Sequence, residues 1–330
     1  MNSNKANVFI IGAPKCGTSA LATYLEHHPT VFLANPKEPF YWSFDYPGLQ
    51  ARNGFDSLEK YEAMFEEASL VHTAFCEGST NYLRSECALE NIMGYNPDAR
   101  FIVMLRNPVD VVHAFHSELL FSYNETEPDF RKAWQLQEKR ARGEAIPDTC
   151  TAPQFLQYAQ VARFAEQIER FFEIVPESQR KVIVFDDFAK DTKKVFDETL
   201  DFLGLSPFEM ESFERVNAAH GHRFPLFSKL ILDPPAPLKP LVNGLREVCR
   251  EQDGWVRKIK MMLRKPEKRV PLTPELRAEL SEFFADDVKQ LSSLLGRDLS
   301  HWTETARSSA AATVFPAVAI PNVEVSQAQS

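Results

Sequence analysis

The stretch VFIIGAPKCGTSALATYLEHHP, residues 8–29, has the pattern of a strand, a glycine-containing loop and a helix. Residues 8–11 are β-branched or aromatic, and apolar residues recur at helical spacing from Thr18 onward. Gly12 and Gly17 allow tight turns in which backbone N–H groups can point at an anion, and the start of the helix adds its positive end. The stretch therefore predicts a phosphate-binding loop.

The lysine of this loop lies too early for a loop that handles ATP. In the order G-x-x-x-x-G-K-[ST], the lysine follows the second glycine and contacts the β- and γ-phosphates. Here Thr18 follows Gly17, and the lysine of the loop is Lys15, three positions earlier. We therefore expect Lys15 to meet the first phosphate of a nucleotide or a group attached to that phosphate.

Two further apolar runs repeat the alternation of strand and helix. FIVML, residues 101–105, ends at Arg106 and is followed by a helical pattern that begins near Pro108. VIVF, residues 182–185, ends at two aspartates. Continuous apolar strands that alternate with helices are typical of a parallel sheet covered on both faces. We predict an α/β fold with a central parallel sheet, helices on both faces and a P-loop-like nucleotide-binding arrangement.

The composition is that of an ordinary globular protein, with 330 residues, of which 44% are hydrophobic and 25% are charged. The formal net charge of -9 argues against nucleic acid as a partner. Five scattered cysteines without CxxC spacing argue against a disulfide framework and a zinc site, and favour a reducing compartment. The first apolar run is too short for a membrane span, so we expect a cytoplasmic protein without one.

The first loop resembles the 5′-phosphosulfate-binding loop of the sulfotransferases that use 3′-phosphoadenosine 5′-phosphosulfate (PAPS). That family carries P-K-x-G-T-[ST] and then a helix that ends in H-P, and the chain has PKCGTS at residues 14–19 and HP at residues 28–29. The resemblance implies that PAPS is the cofactor and that no metal takes part. It also implies that the 5′-phosphosulfate is held by Lys15, Cys16, Gly17, Thr18, Ser19 and Ala20.

A second signature of that family is a strand that ends in arginine, followed by [ND]-P-V and a helix with a serine about two turns later. The chain has LRNPVDVVHAFHS at residues 105–117. Because a guanidinium fixed at the end of a strand can bind a phosphate through two N–H groups, Arg106 resembles the ligand of the 3′-phosphate. The expected serine is Ala114 here, and either Ser117 or His113 could take its place.

A third resemblance concerns the general base. NPKEPFYWSFDY, residues 35–46, resembles the K-E-x-x-F-[FYW] segment of heparan-sulfate-type and bacterial sulfotransferases, where the glutamate takes the proton of the acceptor hydroxyl. The match implies that Glu38 is the catalytic base and that Lys15 is the catalytic cation on the departing phosphate. His113 and His116, on the helix after the second signature, are alternative bases.

Two weaker matches concern other cationic contacts. CEGSTNYL, residues 76–83, resembles E-K-[ST]-P-x-Y, but the lysine of that pattern is Gly78 here. The sequence therefore leaves a second cationic contact to the sulfuryl group unaccounted for. VNAAHGHRF, residues 216–224, resembles the loop that covers the 3′-phosphate, and it makes Arg223 a candidate ligand.

The sequence predicts one sulfotransferase domain over residues 1–303 and a disordered tail over residues 304–330, which lacks periodicity. Residues 153–175 and 276–295 have the apolar spacing of amphipathic helices. Residues 118–153, a charged helical stretch and a break rich in Pro and Thr, are interpreted as an insertion or lid over the acceptor site.

The acceptor is predicted to be a hydroxyl of a carbohydrate, by analogy with the family, or of a small molecule or natural product. Aromatic side chains from Phe40 to Tyr46 suit sugar rings, phenols and acyl chains alike, and we expect them to line its pocket.

Two other functions stay open. A P-loop kinase is one, because VIVFDD, residues 182–187, resembles a strand whose aspartates could hold Mg²⁺. The absence of a lysine after Gly17 argues against a kinase, and the two aspartates can instead be structural. A catalytically inactive nucleotide-binding relative is the other, motivated by Ala114 and Gly78.

Overall fold

Five parallel strands form the centre of the fold, in the spatial order β2-β3-β1-β4-β5. The protein is described by a computed structural model that covers residues 4–214, 220–222, 264–266 and 269–304. The strands are β1 Val8–Gly12, β2 Val31–Leu33, β3 Ala74–Glu77, β4 Arg100–Leu105 and β5 Arg180–Val184. Each neighbouring pair is parallel, which confirms the predicted central sheet. Apart from residue 304, the expected tail lies outside the described residues.

Helices connect the strands and cover the sheet. They are α1 Thr18–Glu26, α2 Pro47–Asn53, α3 Leu58–Ala63, α4 Ala88–Tyr95, α5 Pro108–Phe121, α6 Phe130–Gln135, α7 Gln137–Ala141, α8 Tyr158–Ala162, α9 Phe164–Ile174, α10 Phe185–Lys190, α11 Thr192–Leu203, α12 Pro274–Phe283 and α13 Ala285–Leu295. Short 3₁₀ helices lie at Pro153–Leu156, Glu177–Gln179 and Ser300–Trp302, and an antiparallel pair joins β6 His220–His222 to β7 Arg264–Pro266. Within the described ranges, every helix is too short or too polar to span a lipid bilayer.

Both faces of the sheet are covered at its centre. All residues of β1 are buried, and Phe101–Leu105 of β4 are 0% exposed. Because successive side chains of a strand point to opposite faces, a run of buried residues requires cover on both sides. The apolar runs of the sequence thus reflect a sheet with helices on both faces.

The carboxyl ends of three neighbouring strands carry the candidate site residues. β1 ends at Gly12 and enters the glycine loop, β3 is followed by Gly78, and β4 is followed by Arg106. Since β1 lies between β3 and β4 in a parallel sheet, these three chain ends meet at one edge. This edge is where the candidate site lies.

Residues 118–153, interpreted from the sequence as a lid, are fastened to the body of the domain. Arg140 donates two hydrogen bonds of 2.7 Å to the carboxylate of Glu125, and the Tyr158 hydroxyl of α8 donates a third of 2.7 Å. The side chains of the ion pair are 1% and 0% exposed, so the loss of either partner would strand a buried charge. The role of this segment as a lid stays a prediction.

The amphipathic helix expected over residues 153–175 is interrupted. α8 and α9 are separate helices, and the backbone N–H groups of Phe164 and Ala165 donate to the carboxylate of Asp287 at 2.9 and 3.2 Å. The first N–H groups of a helix lack intrahelical acceptors, so a carboxylate there acts as a cap. In this case the cap comes from α13, a remote part of the chain.

The two aspartates after β5 hold the C-terminal part of the described chain. Asp187 forms a two-pronged ion pair with Arg297, and Asp186 accepts hydrogen bonds from the Trp302 indole at 2.7 Å and from His301 at 2.8 Å. Both carboxylates therefore have a structural role in this structure, which weakens the kinase interpretation of the same residues.

A carboxyl group is buried at the end of β3. Glu77 is 1% exposed, its Oε2 accepts a hydrogen bond of 3.2 Å from the Tyr61 hydroxyl, and its Oε1 has no hydrogen-bond partner among the described residues. Burial raises the pKa of Glu77 to about 7, although neighbouring hydroxyl groups oppose that shift. The folded protein therefore holds a proton on Glu77 more tightly than the unfolded chain does.

We predict that Glu77→Gln makes the unfolding free energy of the protein less sensitive to rising pH. The stabilisation from the protonated carboxyl is fully present below its ordinary pKa of 4.5 and is lost as the pH rises through about 7, because the folded protein must then bury a charge. Between pH 5 and pH 8, the wild type should lose about 2 to 3 kcal/mol of unfolding free energy relative to Glu77→Gln.

Urea denaturation at several pH values measures this difference. Glu67→Gln, which changes an exposed carboxylate of the same region, serves as the control and should follow the wild type. If the unfolding free energies of the wild type and Glu77→Gln ran parallel over this pH range, the proposed protonation of Glu77 would be wrong.

Candidate active site

The loop between β1 and α1 depends on the close approach of β4. Gly12 has φ 126°, and a Cβ atom on it would lie 2.6 Å from the carbonyl oxygen of Met104 and 2.7 Å from its nitrogen. Gly17 has φ 95° and directly precedes α1, and Lys15 has φ 65°. The two glycines adopt backbone conformations that other residues rarely adopt, so they fix the course of the loop.

The start of α1 offers hydrogen-bond donors at this edge. The N–H groups of Ala20 and Leu21 donate to the carbonyl oxygen of Gly17 at 3.0 and 3.1 Å. The N–H groups of Thr18 and Ser19 precede these first helical hydrogen bonds and therefore suit an anion. The N–H of Ala20, which the resemblance assigns to the cofactor, is used within the helix.

The side chain of Cys16 is unsuited to contact with an anion. It is 0% exposed, and burial raises the pKa of its thiol well above its ordinary value. Cys16 therefore stays a neutral thiol packed into the core, and any contact of this residue with a ligand comes through its backbone.

Lys15 is paired with a carboxylate in this structure. Its Nζ lies 3.1 Å from Oε2 of Glu118 on α5, and the two side chains are 28% and 46% exposed. Solvent-exposed ion pairs contribute about 0.2 to 1 kcal/mol, so Glu118 is a weak competitor. A phosphate group, with its higher charge, can replace Glu118 as the partner of Lys15.

Arg106 lies directly beside the glycine loop. Its guanidinium donates to the carbonyl oxygen of Lys15 at 3.5 Å and to Oδ2 of Asp110 at 3.3 Å, and it stacks over the ring of Phe185 at 4.8 Å. Burial alone would raise the pKa of Asp110, but Arg106 and Arg277 hold it below its ordinary value. The guanidinium is thus fixed from several sides while 26% of its side chain stays exposed.

A second arginine, Arg269, adds positive charge near Arg106. Arg269, just before α12, is half-buried, and its burial together with the charge of neighbouring Arg106 lowers the pKa of its guanidinium. The carboxylates of Asp110 and Glu118 oppose this shift, and a bound anion near the two guanidinium groups would oppose it further. Sequence reasoning did not single out Arg269, whose local sequence is only a basic run ahead of a helix. Arg223, the arginine chosen instead, lies outside the described residues.

The hydroxyl expected on α5 is not supplied at its usual position. Ala114 is 1% exposed and packs into the core, and the Ser117 hydroxyl donates to the carbonyl oxygen of His113 at 3.3 Å within the same helix. Burial, followed by the charge of Arg269, lowers the pKa of His113 to about 4. A neutral imidazole can still donate a hydrogen bond, so His113 stays a candidate for this contact.

His116 is engaged in packing. It is 3% exposed, its Nε2 lies 2.8 Å from the carbonyl oxygen of Glu127, and its ring contacts Phe130 and Tyr158. Burial lowers its pKa. These contacts favour a structural role for His116 over a role as general base.

Glu38 lies between the residues that follow β3 and the glycine loop. Its Oε2 accepts a hydrogen bond of 3.0 Å from Thr80, and its Oε1 lies 3.2 Å from Nζ of Lys37. The same ammonium donates to the Ser19 hydroxyl at 3.5 Å, so Lys37 links Glu38 to the start of α1. The side chain of Glu38 is 23% exposed, and the carboxylate is therefore both positioned and accessible.

Most of the aromatic residues that follow Glu38 are in the core, contrary to our expectation of a lined pocket. Tyr41 and Trp42 are 9% and 5% exposed, and both pack against Tyr61. Tyr46 is 6% exposed. Phe44, at 47% exposure, is the aromatic residue of this stretch that reaches solvent most.

Comparison with a solved structure supports the same fold. The crystal structure of a sulfotransferase from Alicyclobacillus acidocaldarius shares 27% sequence identity with this chain and superposes with a TM-score of 0.64. The match covers 90% of this chain and 98% of that chain.

Two curated relatives are longer proteins. The chain is 29% identical over 210 residues to the mouse bifunctional heparan sulfate N-deacetylase/N-sulfotransferase 3, which covers 60% of this chain and 22% of that protein. It is 26% identical over 248 residues to human carbohydrate sulfotransferase 15, covering 60% of this chain and 44% of that protein. The chain thus spans less than half the length of these curated relatives.

The family model described as the sulfotransferase domain matches residues 5–219, which include the glycine loop, Glu38 and Arg106. This match covers more than half of the 330 residues of the sequence. The chain therefore belongs to the sulfotransferase domain family.

Proposed function

We propose that this protein transfers a sulfuryl group from PAPS to a hydroxyl group of an acceptor. The observation that carries the proposal is the meeting of Lys15, Glu38 and Arg106 at one edge of the sheet, with Glu38 linked to the loop through Lys37 and Ser19. When bound, PAPS supplies the sulfuryl group that the acceptor receives.

The residues at this edge fit a ligand with two separate anionic groups. Lys15, with the N–H and hydroxyl groups of Thr18 and Ser19, would hold the 5′-phosphosulfate. Arg106 and Arg269 would hold the 3′-phosphate, because guanidinium groups match phosphate geometry. The donor set consists of nitrogen and hydroxyl donors, which suits direct binding of phosphate.

Glu38 is the general base in this proposal. Its carboxylate is positioned by Thr80 and Lys37 and is partly exposed, so an acceptor hydroxyl can reach it and pass its proton to it. The depressed pKa of His113 makes that imidazole a poor proton acceptor near neutral pH. Both considerations favour Glu38 over the histidines of α5.

The acceptor is proposed to be a carbohydrate hydroxyl, with a hydroxyl of a small natural product as the second choice. The names of the curated relatives support a carbohydrate. We also propose a reducing compartment such as the cytoplasm, supported by the four free cysteines in the described part of the chain. A kinase is disfavoured because Asp186 and Asp187 bind the C-terminal part of the described chain.

Lys15→Ala is predicted to remove most of the transfer activity while leaving the fold intact. Removal of one fixed donor from a developing negative charge costs about 10²- to 10³-fold in rate. The measurement is transfer of ³⁵S-labelled sulfate from PAPS to a panel that holds unsulfated glycosaminoglycan oligosaccharides, simple glycosides and phenols. Adenosine 3′,5′-bisphosphate, but not ADP, should raise the melting temperature of the wild type.

Lys60→Ala, which changes an exposed lysine of α3, is the matched control and should keep wild-type transfer. Wild-type activity of Lys15→Ala would overturn the assignment of this lysine. A larger thermal shift with ADP than with adenosine 3′,5′-bisphosphate would support the kinase interpretation instead.

Glu38→Gln is predicted to lower kcat by about 10²- to 10⁴-fold, the usual contribution of a general base, with little change in nucleotide affinity. The amide keeps the shape and the hydrogen bond from Thr80 but cannot take a proton. Steady-state kinetics and calorimetric titration with adenosine 3′,5′-bisphosphate measure the two effects. Glu59→Gln, on the exposed face of α3, is the control, and a loss of activity in His113→Ala with unchanged Glu38→Gln would assign the base to α5.

A further inference from the structure

We propose that Lys37 is the second cation of the sulfuryl-transfer site, and that Gly78 leaves room for the stem of Lys37 to reach that site. The inference rests on the proposed function and adds a residue to its machinery. It also accounts for the cationic contact that the sequence leaves without a residue.

The side chain of Lys37 runs directly across Gly78. A Cβ atom built on Gly78 would lie 2.7 Å from Cε of Lys37, 3.5 Å from its Cδ and 3.6 Å from its Cγ. Gly78 is not among the glycines with positive φ, so its backbone does not itself require glycine. The absence of a side chain at residue 78 leaves Lys37 free to take this path, whereas a Cβ there would push the end of the lysine aside.

The ammonium of Lys37 lies where it can act on both reacting groups. Its Nζ is 3.2 Å from Oε1 of Glu38 and 3.5 Å from the hydroxyl of Ser19, at the start of α1. The side chain is only 17% exposed, so solvent screens its charge less than that of a surface lysine. An ammonium has three N–H donors, and these two contacts use two of them.

This position matches the place where charge develops during transfer. Glu38 accepts the proton of the acceptor hydroxyl as the new O–S bond forms, and the electron pair of the broken S–O bond leaves with the 5′-phosphate. Lys15, on the loop, offsets charge on the phosphate side. Lys37, which contacts both Glu38 and Ser19, would offset charge that develops on the sulfuryl oxygens.

The arrangement explains why the lysine of the E-K-[ST]-P-x-Y pattern can be replaced by Gly78. A side chain at position 78 would start beside the stem of Lys37, so the stem of Lys37 would have to move from the path it takes here. The cation is supplied from residue 37 instead of residue 78, and the glycine at position 78 leaves room for the stem of Lys37.

The experiment compares Lys37→Met, Gly78→Lys and the double variant Lys37→Ala/Gly78→Lys, in which residue 37 no longer fills the space beside residue 78, with the wild type. The assay uses PAPS with the acceptor of the panel on which the wild type is most active. Lys37→Met should lower the plateau of kcat in the pH profile by about 10²- to 10³-fold, the effect of one fixed donor on developing charge. Its affinity for adenosine 3′,5′-bisphosphate, which lacks the sulfuryl group, should stay within about threefold of the wild-type value.

The double variant should regain at least about tenfold of the kcat that Lys37→Met loses, because position 78 can then supply the cation. Lys60→Met, an exposed lysine of α3, controls for loss of charge and should match the wild type. Melting temperatures and nucleotide affinities identify any variant that has lost its fold.

Two results would overturn the inference while leaving the proposed function in place. One is a pH profile of Lys37→Met in which kcat reaches the wild-type plateau and only the acidic side of the profile moves. Lys37 would then be only the ion-pair partner of Glu38. The other is a folded, nucleotide-binding double variant without recovery. Failure of the wild type to transfer sulfate to any acceptor of the panel would overturn the proposed function and this inference together.

Discussion

The site depends on the close approach of β1 and β4 at Gly12. The backbone of Met104 occupies the space that any Cβ on residue 12 would need, and the Ala13 N–H donates to the Met104 carbonyl oxygen at 3.3 Å. This approach sends the loop from β1 past the end of β4, where Arg106 donates to the carbonyl oxygen of Lys15. The loop proposed to hold one anionic group and the arginine proposed to hold another are therefore parts of one rigid arrangement, and strand pairing sets the distance between them.

Sequence reasoning identified the features that a short stretch of sequence determines by itself. The apolar runs of β1, β4 and β5 end at the glycine loop, at Arg106 and at Asp186, because in a parallel sheet a strand must be apolar on both faces and change character where it leaves the core. The cap of α9 could not be found this way. Asp287 follows Phe164 by 123 positions, and the sequence around neither residue indicates the hydrogen bond between them.

The same limit explains the roles that were misjudged or missed. Tyr41 and Trp42 are residue types that often line ligand pockets, but they pack against Tyr61 in the core. Only the folded chain shows this contact. The local sequence of Arg269 does not indicate a site, and only the folded chain brings the charge of Arg106 to bear on it. Local patterns thus predicted strands, loops and strand ends, whereas contacts between distant segments decided which polar and aromatic side chains face the site.

Lys37 and Gly78 show how a site can keep a charge while its sequence pattern changes. A motif specifies a residue at a position, but electrostatic stabilisation requires only a charge at a point in space, together with room for the side chain that carries it. Two adjacent segments, the one before Glu38 and the one after β3, both reach that point in this fold. A lysine from either segment can satisfy the requirement, and here the lysine comes from the segment before Glu38. A missing lysine at position 78 therefore argues for loss of activity only if position 37 cannot reach the same place, and here the stem of Lys37 passes over Gly78 to the hydroxyl of Ser19.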